Sequence, residues 1–223
     1  RELYPDTDIV ITSSELILMI KELGIDFNAL EDKEFDKLLG KGSGGGLIFG
    51  ASGGVMESVL RTAYYMLNKI KAPQEFYQLE SIRGDNEFKK TIVDMKQFKL
   101  KIASLSKIKT VIENYDKLKD YDFIEIMSCP GGCIGGGGQP LVAIKDLENI
   151  RKERIKSLYI GDKQQKIKES YLNPEIIDAY NFCINKGKVN LHTNHNILAK
   201  NFTNNDKKSI IDDREEKNEK YFI

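Results

Sequence analysis

Cysteine is scarce in this 223-residue chain: there are three, Cys129, Cys133 and Cys183. A small, odd number does not build a disulfide framework, and two thiols sharing one loop point to a reducing compartment with metal or redox chemistry. Long apolar runs are missing too. None approaches the roughly 18 residues of a membrane-spanning helix. Charge of one sign is also lacking, since 34 basic residues balance 34 acidic ones. That argues against nucleic acid or an anionic membrane as the main partner. Histidine is limited to His192 and His195, which read most simply as tail residues, although their spacing also suits a metal. No internal repeat, clear linker, signal or transit pattern is visible. The chain opens Arg1-Glu-Leu-Tyr-Pro5 without methionine, so Arg1 is expected not to be the natural start.

What is present is an ordinary globular composition, 40% hydrophobic and 30% charged, in a chain long enough to bury a real core. Asp8-Ile-Val-Ile-Thr12 reads as a short buried strand. Thr12-Ser-Ser-Glu15 has capping-box spacing and opens a helix whose apolar face is Leu16, Ile17, Met19, Ile20 and Leu23, with Gly24 as its stop. A surface connection follows, with a short helix at Phe35 to Leu39. Thr91–Met95 and Phe98–Ala103 have strand-like content, Lys107–Leu118 reads as a helix, and Phe123-Ile-Glu-Ile-Met127 as a buried strand. Strand–helix alternation of this kind predicts an α/β fold, a partly parallel sheet flanked by helices. Residues 1–145 form the α/β part, 146–200 a helical C-terminal region of the same domain, and 201–223 a polar tail. Within the helical region, Lys145 to Lys168 reads as a solvated basic helix face. A second helix starts at Asn173-Pro174 and carries Cys183 as a buried structural thiol.

Two glycine-rich stretches stand out. In the first, Gly42-Ser-Gly-Gly-Gly46 leads through the strand-like Leu47-Ile-Phe49 and the turn Gly50-Ala-Ser-Gly-Gly54 into a helix. That helix places Val55, Val59, Ala63 and Leu67 on one face and ends by Pro73. A turn feeding a helix N-terminus binds anions well, but no G-x-x-x-x-G-K-S/T motif or dinucleotide fingerprint is present. Two readings stay open: a close strand-to-helix turn, or a turn lining a non-nucleotide cofactor.

The second stretch holds Cys129 and Cys133, four residues apart, among six glycines before Pro140. Thiolates bind soft metals, and an iron–sulfur cluster fits a backbone that must close on a bulky group. Zinc is a rival, but it would want a second ligand pair, which only His192 and His195 could supply. The C-x-x-x-C spacing does not suit disulfide exchange. A plain structural loop with two buried thiols remains the bland alternative.

Glu125-Ile-Met-Ser-Cys-Pro-Gly-Gly-Cys-Ile-Gly-Gly-Gly-Gly-Gln-Pro140 resembles the last cysteine motif of the iron-only ([FeFe]) hydrogenases, E-x-M-A-C-P-G-G-C-x-x-G-G-G-Q-P. Leu47-Ile-Phe-Gly-Ala-Ser-Gly-Gly-Val-Met-Glu57, followed by Arg61, is similar to that family's I-F-G-A-T-G-G-V-M-E-A segment, and the likeness runs to about His195. The resemblance implies the C-terminal portion of the iron hydrogenase catalytic domain. It also implies reversible reduction of protons to H2 at an H-cluster, a [4Fe-4S] cubane joined to a two-iron unit carrying carbonyl, cyanide and dithiolate ligands. By motif position, Cys129 and Cys133 would ligate the cubane, with Cys133 as the sulfur shared with the two-iron unit. Met127, Phe49 and Val55 would wall the cofactor. The implied partners are ferredoxin or another electron carrier, in a reducing, anaerobic setting, cytoplasmic or hydrogenosome-like.

The departures matter as much. The family's T-S-C-C-P-x-W and M-P-C-x-x-K-x-x-E motifs are absent. They would supply the other two cubane cysteines and the proton-transfer cysteine. An upstream portion or separate subunit is therefore expected to provide them, and the chain alone is expected to be inactive. Ser52, Ser128 and Gly135 stand where the family has threonine, alanine and asparagine, and Ser104 to Lys107 replaces a glycine-containing loop. Gly135 is expected to loosen the cysteine loop. Two other readings are a non-catalytic relative in iron–sulfur protein assembly and a hydrogen-sensing relative.

Overall fold

The computed structural model describes residues 9–33, 41–84 and 86–185, apart from the side chains of 182–185. It divides into two units, 1–175 and 176–223. Thr12 caps α1 (Ser13–Glu22) with the reciprocal bonds of a capping box, and Gly24 leaves it at φ +65°. The expected strand before it is not formed: Ile9 and Val10 are exposed and unpaired in any sheet. The apolar face of α1 exists, but Leu16, Ile17, Met19 and Leu23 all remain exposed.

The apolar run Leu47–Phe49 is helical rather than extended. α2 (Gly44–Leu47) passes into a single 3-10 turn, Ile48–Gly50. Short apolar runs do not distinguish strand from helix by pattern alone. Here the α2 N-terminus is fixed by Gly44 and Gly45 N–H groups donating to the carbonyls of Ile167 and Lys168. α3 (Gly54–Asn68) follows, and its buried face is Met56, Leu60 and Tyr64 together with Glu57 and Arg61. The predicted stripe lies one residue off this face, with Val59 and Leu67 well exposed. The helix stops at Asn68 because Lys69 turns left-handed (φ 56°), before Pro73 is reached.

β1 (Phe88–Asp94) and β2 (Lys99–Ser106) form an antiparallel hairpin. α4 (Ile108–Asn114) then carries the chain over to β3 (Phe123–Met127), which pairs parallel with β2. The sheet order is β1-β2-β3, the partly parallel sheet expected from the sequence. Alternation along β2 sends Ile102 to one face, with Met56, Leu60, Phe76 and Ile82, and sends Ala103 and Leu105 to the other, with Leu118. The helix after Lys107 is shorter than predicted and gives way to 3-10 turns at Tyr115–Asp120, with Ile112 and Tyr115 exposed. β3 is an edge strand whose one buried residue is Glu125, rather than a buried apolar run.

α5 (Leu147–Gln164) is mostly solvated as expected, but buries Ile155, Tyr159 and Asp162. α6 (Pro174–Asn185) begins where the Asn-Pro pair predicted. Residues 35–39, His192, His195 and the tail from 201, like the Cys183 side chain, lie outside the described residues. Among the described residues no helix is long and apolar enough to cross a membrane.

Lys107 sits at φ 71°, ψ 121°, where glycine is the comfortable residue, while its N–H donates to the Met127 carbonyl at 2.9 Å. Lys107→Gly is expected to stabilise the fold by about 1 kcal/mol, the relieved strain exceeding the added unfolded-state entropy. Its ion pair with Glu87 is half exposed and adds little. Urea unfolding checks this, and a loss of stability would contradict it.

Candidate metal centre

The chain leaves β3 at Met127 and turns through Cys129-Pro-Gly-Gly-Cys133 into a 3-10 turn, Cys133–Gly135. Cys129 is half-buried and Cys133 exposed, both as free thiols. The loop lies directly on the Gly50–Gly54 turn. Ser52 N–H donates to the Gly131 carbonyl at 2.9 Å, and Gly131 N–H to Ser106 Oγ at 3.3 Å. Gly132 makes this approach feasible: at φ +100°, a Cβ there would fall 2.6 Å from Ser52 N and 2.7 Å from Gly50 O. At Gly135 a Cβ would fall 2.0 Å from the Pro130 carbonyl oxygen. Here glycine tightens the loop rather than loosening it, the reverse of the sequence expectation. Gly136 presents its bare backbone to Cys129, where a Cβ would stand 3.6 Å from Sγ.

The loop is held at both ends. Ile134 is buried among Ile48, Ala51, Ile155 and Tyr159, and Arg154 of α5 donates to the carbonyls of Ile134 (2.9 Å) and Pro140 (3.3 Å). At the far end Ser14 donates to the Gly138 carbonyl from both its N–H (3.0 Å) and its hydroxyl (3.1 Å), joining α1 to the loop.

Of the expected site residues, Met127 ends β3 and Cys129 and Cys133 lie on the loop it leads into, while Phe49 and Val55 flank the turn hydrogen-bonded to that loop. Met127 and Val55 are half-buried. Phe49 lines an open groove of about 280 Å³ with Ser58, Val59, Thr62, Ala63, Met66 and Ser170. The described residues contain no cluster of three or more His, Cys, Asp or Glu able to hold a metal. The two soft donors, Cys129 and Cys133, thus share one loop, with the bare backbone of Gly136 beside Cys129.

Sequence reasoning missed the polar groups beneath the site. Glu125 accepts from Gly53 N–H and, at 2.8 Å, from Met56 N–H; its signal was a lone carboxylate between two isoleucines in a strand. Arg61 is fully buried between Glu57 (2.6 Å) and Asp162 (3.0 and 2.7 Å, bidentate), and Arg83 closes on Glu57 at 2.6 Å while stacking 4.0 Å over Tyr159. Burial works against the Arg61 charge, but Asp162 and Glu57 outweigh it and hold its pKa above the ordinary arginine value. The i, i+4 spacing of Glu57 and Arg61 was legible; the third and fourth partners were not. Burial, then the hydrogen bond to Glu169, pushes the Tyr77 hydroxyl pKa up. Burial opposes the Glu169 charge, yet the bonds from Tyr77 and Lys71 hold its carboxyl below the usual range.

The family described as "Iron only hydrogenase large subunit, C-terminal domain" matches residues 1–137. Iron hydrogenase 1 of Clostridium pasteurianum is 39% identical over 181 residues, covering 78% of this chain and 31% of its own length. Protein NAR1 of Arabidopsis thaliana is 29% identical over 215 residues, covering 89% of this chain and 44% of its own. A solved [FeFe]-hydrogenase HydA1 of Chlamydomonas reinhardtii aligns at TM-score 0.56 and 31% identity, over 78% of this chain and 50% of that one. The chain thus spans about a third of the clostridial protein and half of the algal one.

Removing one member of the buried ion cluster strands the others without water. Arg61→Met is expected to cost about 3–5 kcal/mol in urea unfolding. A cost below about 1 kcal/mol would mean the cluster behaves like a surface pair. Because the Glu169 pKa is depressed on folding, its contribution is present above its unfolded value of about 4.3 and is lost as pH falls through the folded value. Glu169→Gln should therefore flatten the loss of stability with acid; an unchanged slope of unfolding free energy against pH would exclude that role.

Proposed function

We propose, from the premise that the chain belongs to the family of C-terminal domains of iron-only hydrogenase large subunits, that it forms one side of an H-cluster site for reversible interconversion of H2 with protons and electrons. The observation that carries this reading is the Cys129-to-Cys133 loop seated on the Gly50–Gly54 turn, with Met127 leading into it. Cys129 and Cys133 would hold the [4Fe-4S] part, with Cys133 shared by the two-iron unit. When bound, that group would supply the redox chemistry. The chain's own part is to offer two thiolates on a tightly turned backbone. Met127 and Val55, both half-buried, and Phe49 would add apolar surface beside the cluster, and the burial they give would tune its potential.

Half a ligand set needs a complement. The other two cubane cysteines and the proton-transfer cysteine would come from a further segment of the protein or from a separate subunit, and electrons from ferredoxin or a similar carrier. A second reading, a role in iron–sulfur protein assembly without the two-iron unit, is favoured by the similarity to the cytosolic iron-sulfur assembly component 3 of Mus musculus, 31% identical over 146 residues. Met127 speaks for the enzyme, since in that family it borders diatomic ligands.

Infrared spectroscopy of the protein matured with its complementary segment decides between them. Carbonyl and cyanide bands are expected, and Cys133→Ala should abolish them. Bands that persist unchanged in that variant would refute the bridging role. Iron–sulfur absorption without any such bands in the unmutated protein would favour the assembly reading.

A further inference from the structure

We infer that Glu125 is the positioning residue of this site: one buried carboxylate caps α3 and thereby fixes Val55 relative to the strand that delivers Met127 and Cys129. The inference rests on the H-cluster reading for what the site holds, but not for the coupling itself.

The first N–H groups of a helix lack partners within it, and the residue at the N-cap normally satisfies one of them with a short polar side chain. In α3 the N-cap is Gly53, which has no side chain and makes no capping bond of its own. Position 53 is also closed to any replacement cap. Its φ is +96°, and a Cβ there would fall 2.1 Å from the Ile82 carbonyl oxygen. The cap must therefore come from elsewhere in the chain. Glu125 supplies it, with one oxygen accepting from Gly53 N–H and the other from Met56 N–H at 2.8 Å, the third helical residue. A negative charge at this end also gains from the helix dipole.

The source of the cap is what makes it a positioning device. Glu125 lies two residues before Met127 and four before Cys129 on β3, so capping α3 fastens the helix to the strand that carries the thiols. Neighbouring polar groups fix the carboxylate. Ser104, paired opposite it in β2, donates to it at 3.0 Å and shares a 3.0 Å hydrogen bond with Ser52, whose carbonyl accepts from buried Lys89 at 2.8 Å. Ser52 N–H then returns to Gly131 in the cysteine loop. The ring of contacts runs from β3 to β2 to the glycine turn and back to the loop. Two of its members, Ser52 and Ser104, are among the positions where this chain departs from the family pattern.

The test reads the thiol pair without any cluster. Cobalt(II) alone is titrated into the whole chain, with Cys183→Ala throughout, and followed by thiolate-to-metal charge-transfer absorption. Glu125→Gln keeps the side-chain shape but turns one accepting oxygen into a donating amide. It is expected to weaken cobalt binding about tenfold while the melting transition stays cooperative. Equal affinity overturns the inference. Glu125→Asp keeps the charge but shortens the reach, and should fail in the same way; cobalt affinity at the unmutated level would mean that charge alone suffices and would also overturn it. If neither variant folds, Ser104→Ala removes only the hydroxyl donor and should weaken binding about threefold, with no change again counting against the inference. Unaltered cobalt binding alongside carbonyl and cyanide bands removes this inference and leaves the H-cluster reading standing. Weakened cobalt binding without such bands does the reverse.

Discussion

Two backbone segments meet in this protein more closely than side chains would permit, and the rest of the site depends on that approach. Gly132 lets the cysteine loop lie on the glycine turn, with the Gly131 carbonyl meeting the Ser52 N–H at ordinary hydrogen-bond distance. The approach leaves Cys129 half-buried and Cys133 exposed. Ile134 and Arg154 pin the segment that follows.

Beneath this approach the structure is polar where a core would ordinarily be apolar. Glu57, Arg61, Asp162 and Arg83 sit within a few ångströms of one another, nearly without solvent, and join α3 to α5 and to the segment before β1. Such clusters rarely add much net stability over well-packed hydrophobes, because desolvation offsets most of the attraction. What they add is geometry, since a bidentate guanidinium–carboxylate pair tolerates one orientation, whereas an apolar contact tolerates many. For a helix whose first turn adjoins the cysteine loop, restricted orientation is a useful property.

Much of this was legible in the residues. The capping box of α1, the strand content of β1 and β2, the strand into the cysteine loop and the helix at Pro174 follow from local patterns, and the two cysteines announced themselves by their glycine setting. The failures share a cause. Leu47–Phe49 is apolar and short, and only Ile167 and Lys168, over a hundred residues away, decide that it is helical. The α3 stripe was misplaced because a count of apolar residues gives no weight to a buried Arg61 or Glu57, whose partner Asp162 lies 101 residues from Arg61. Glu125 was read only as part of a buried strand and of the cysteine motif, since its partners at Gly53 and Met56 belong to a distant segment. Gly135 looked permissive because its constraint, the Pro130 carbonyl, appears only once the turn is closed.

That distance carries a consequence for how the molecule is made. Gly53 and Glu125 are 72 residues apart, and Ser52 and Ser104 are 52 apart. Contacts of such span demand that the intervening chain be ordered before they repay its lost freedom, so they belong to the late, slow part of folding. The hairpin and the individual helices assemble from nearer neighbours. The seating of the cysteine loop on the glycine turn therefore belongs to the late part of folding. A cluster bound as proposed would meet a folded receptor, unlike the zinc of a small finger domain, whose arrival itself drives folding.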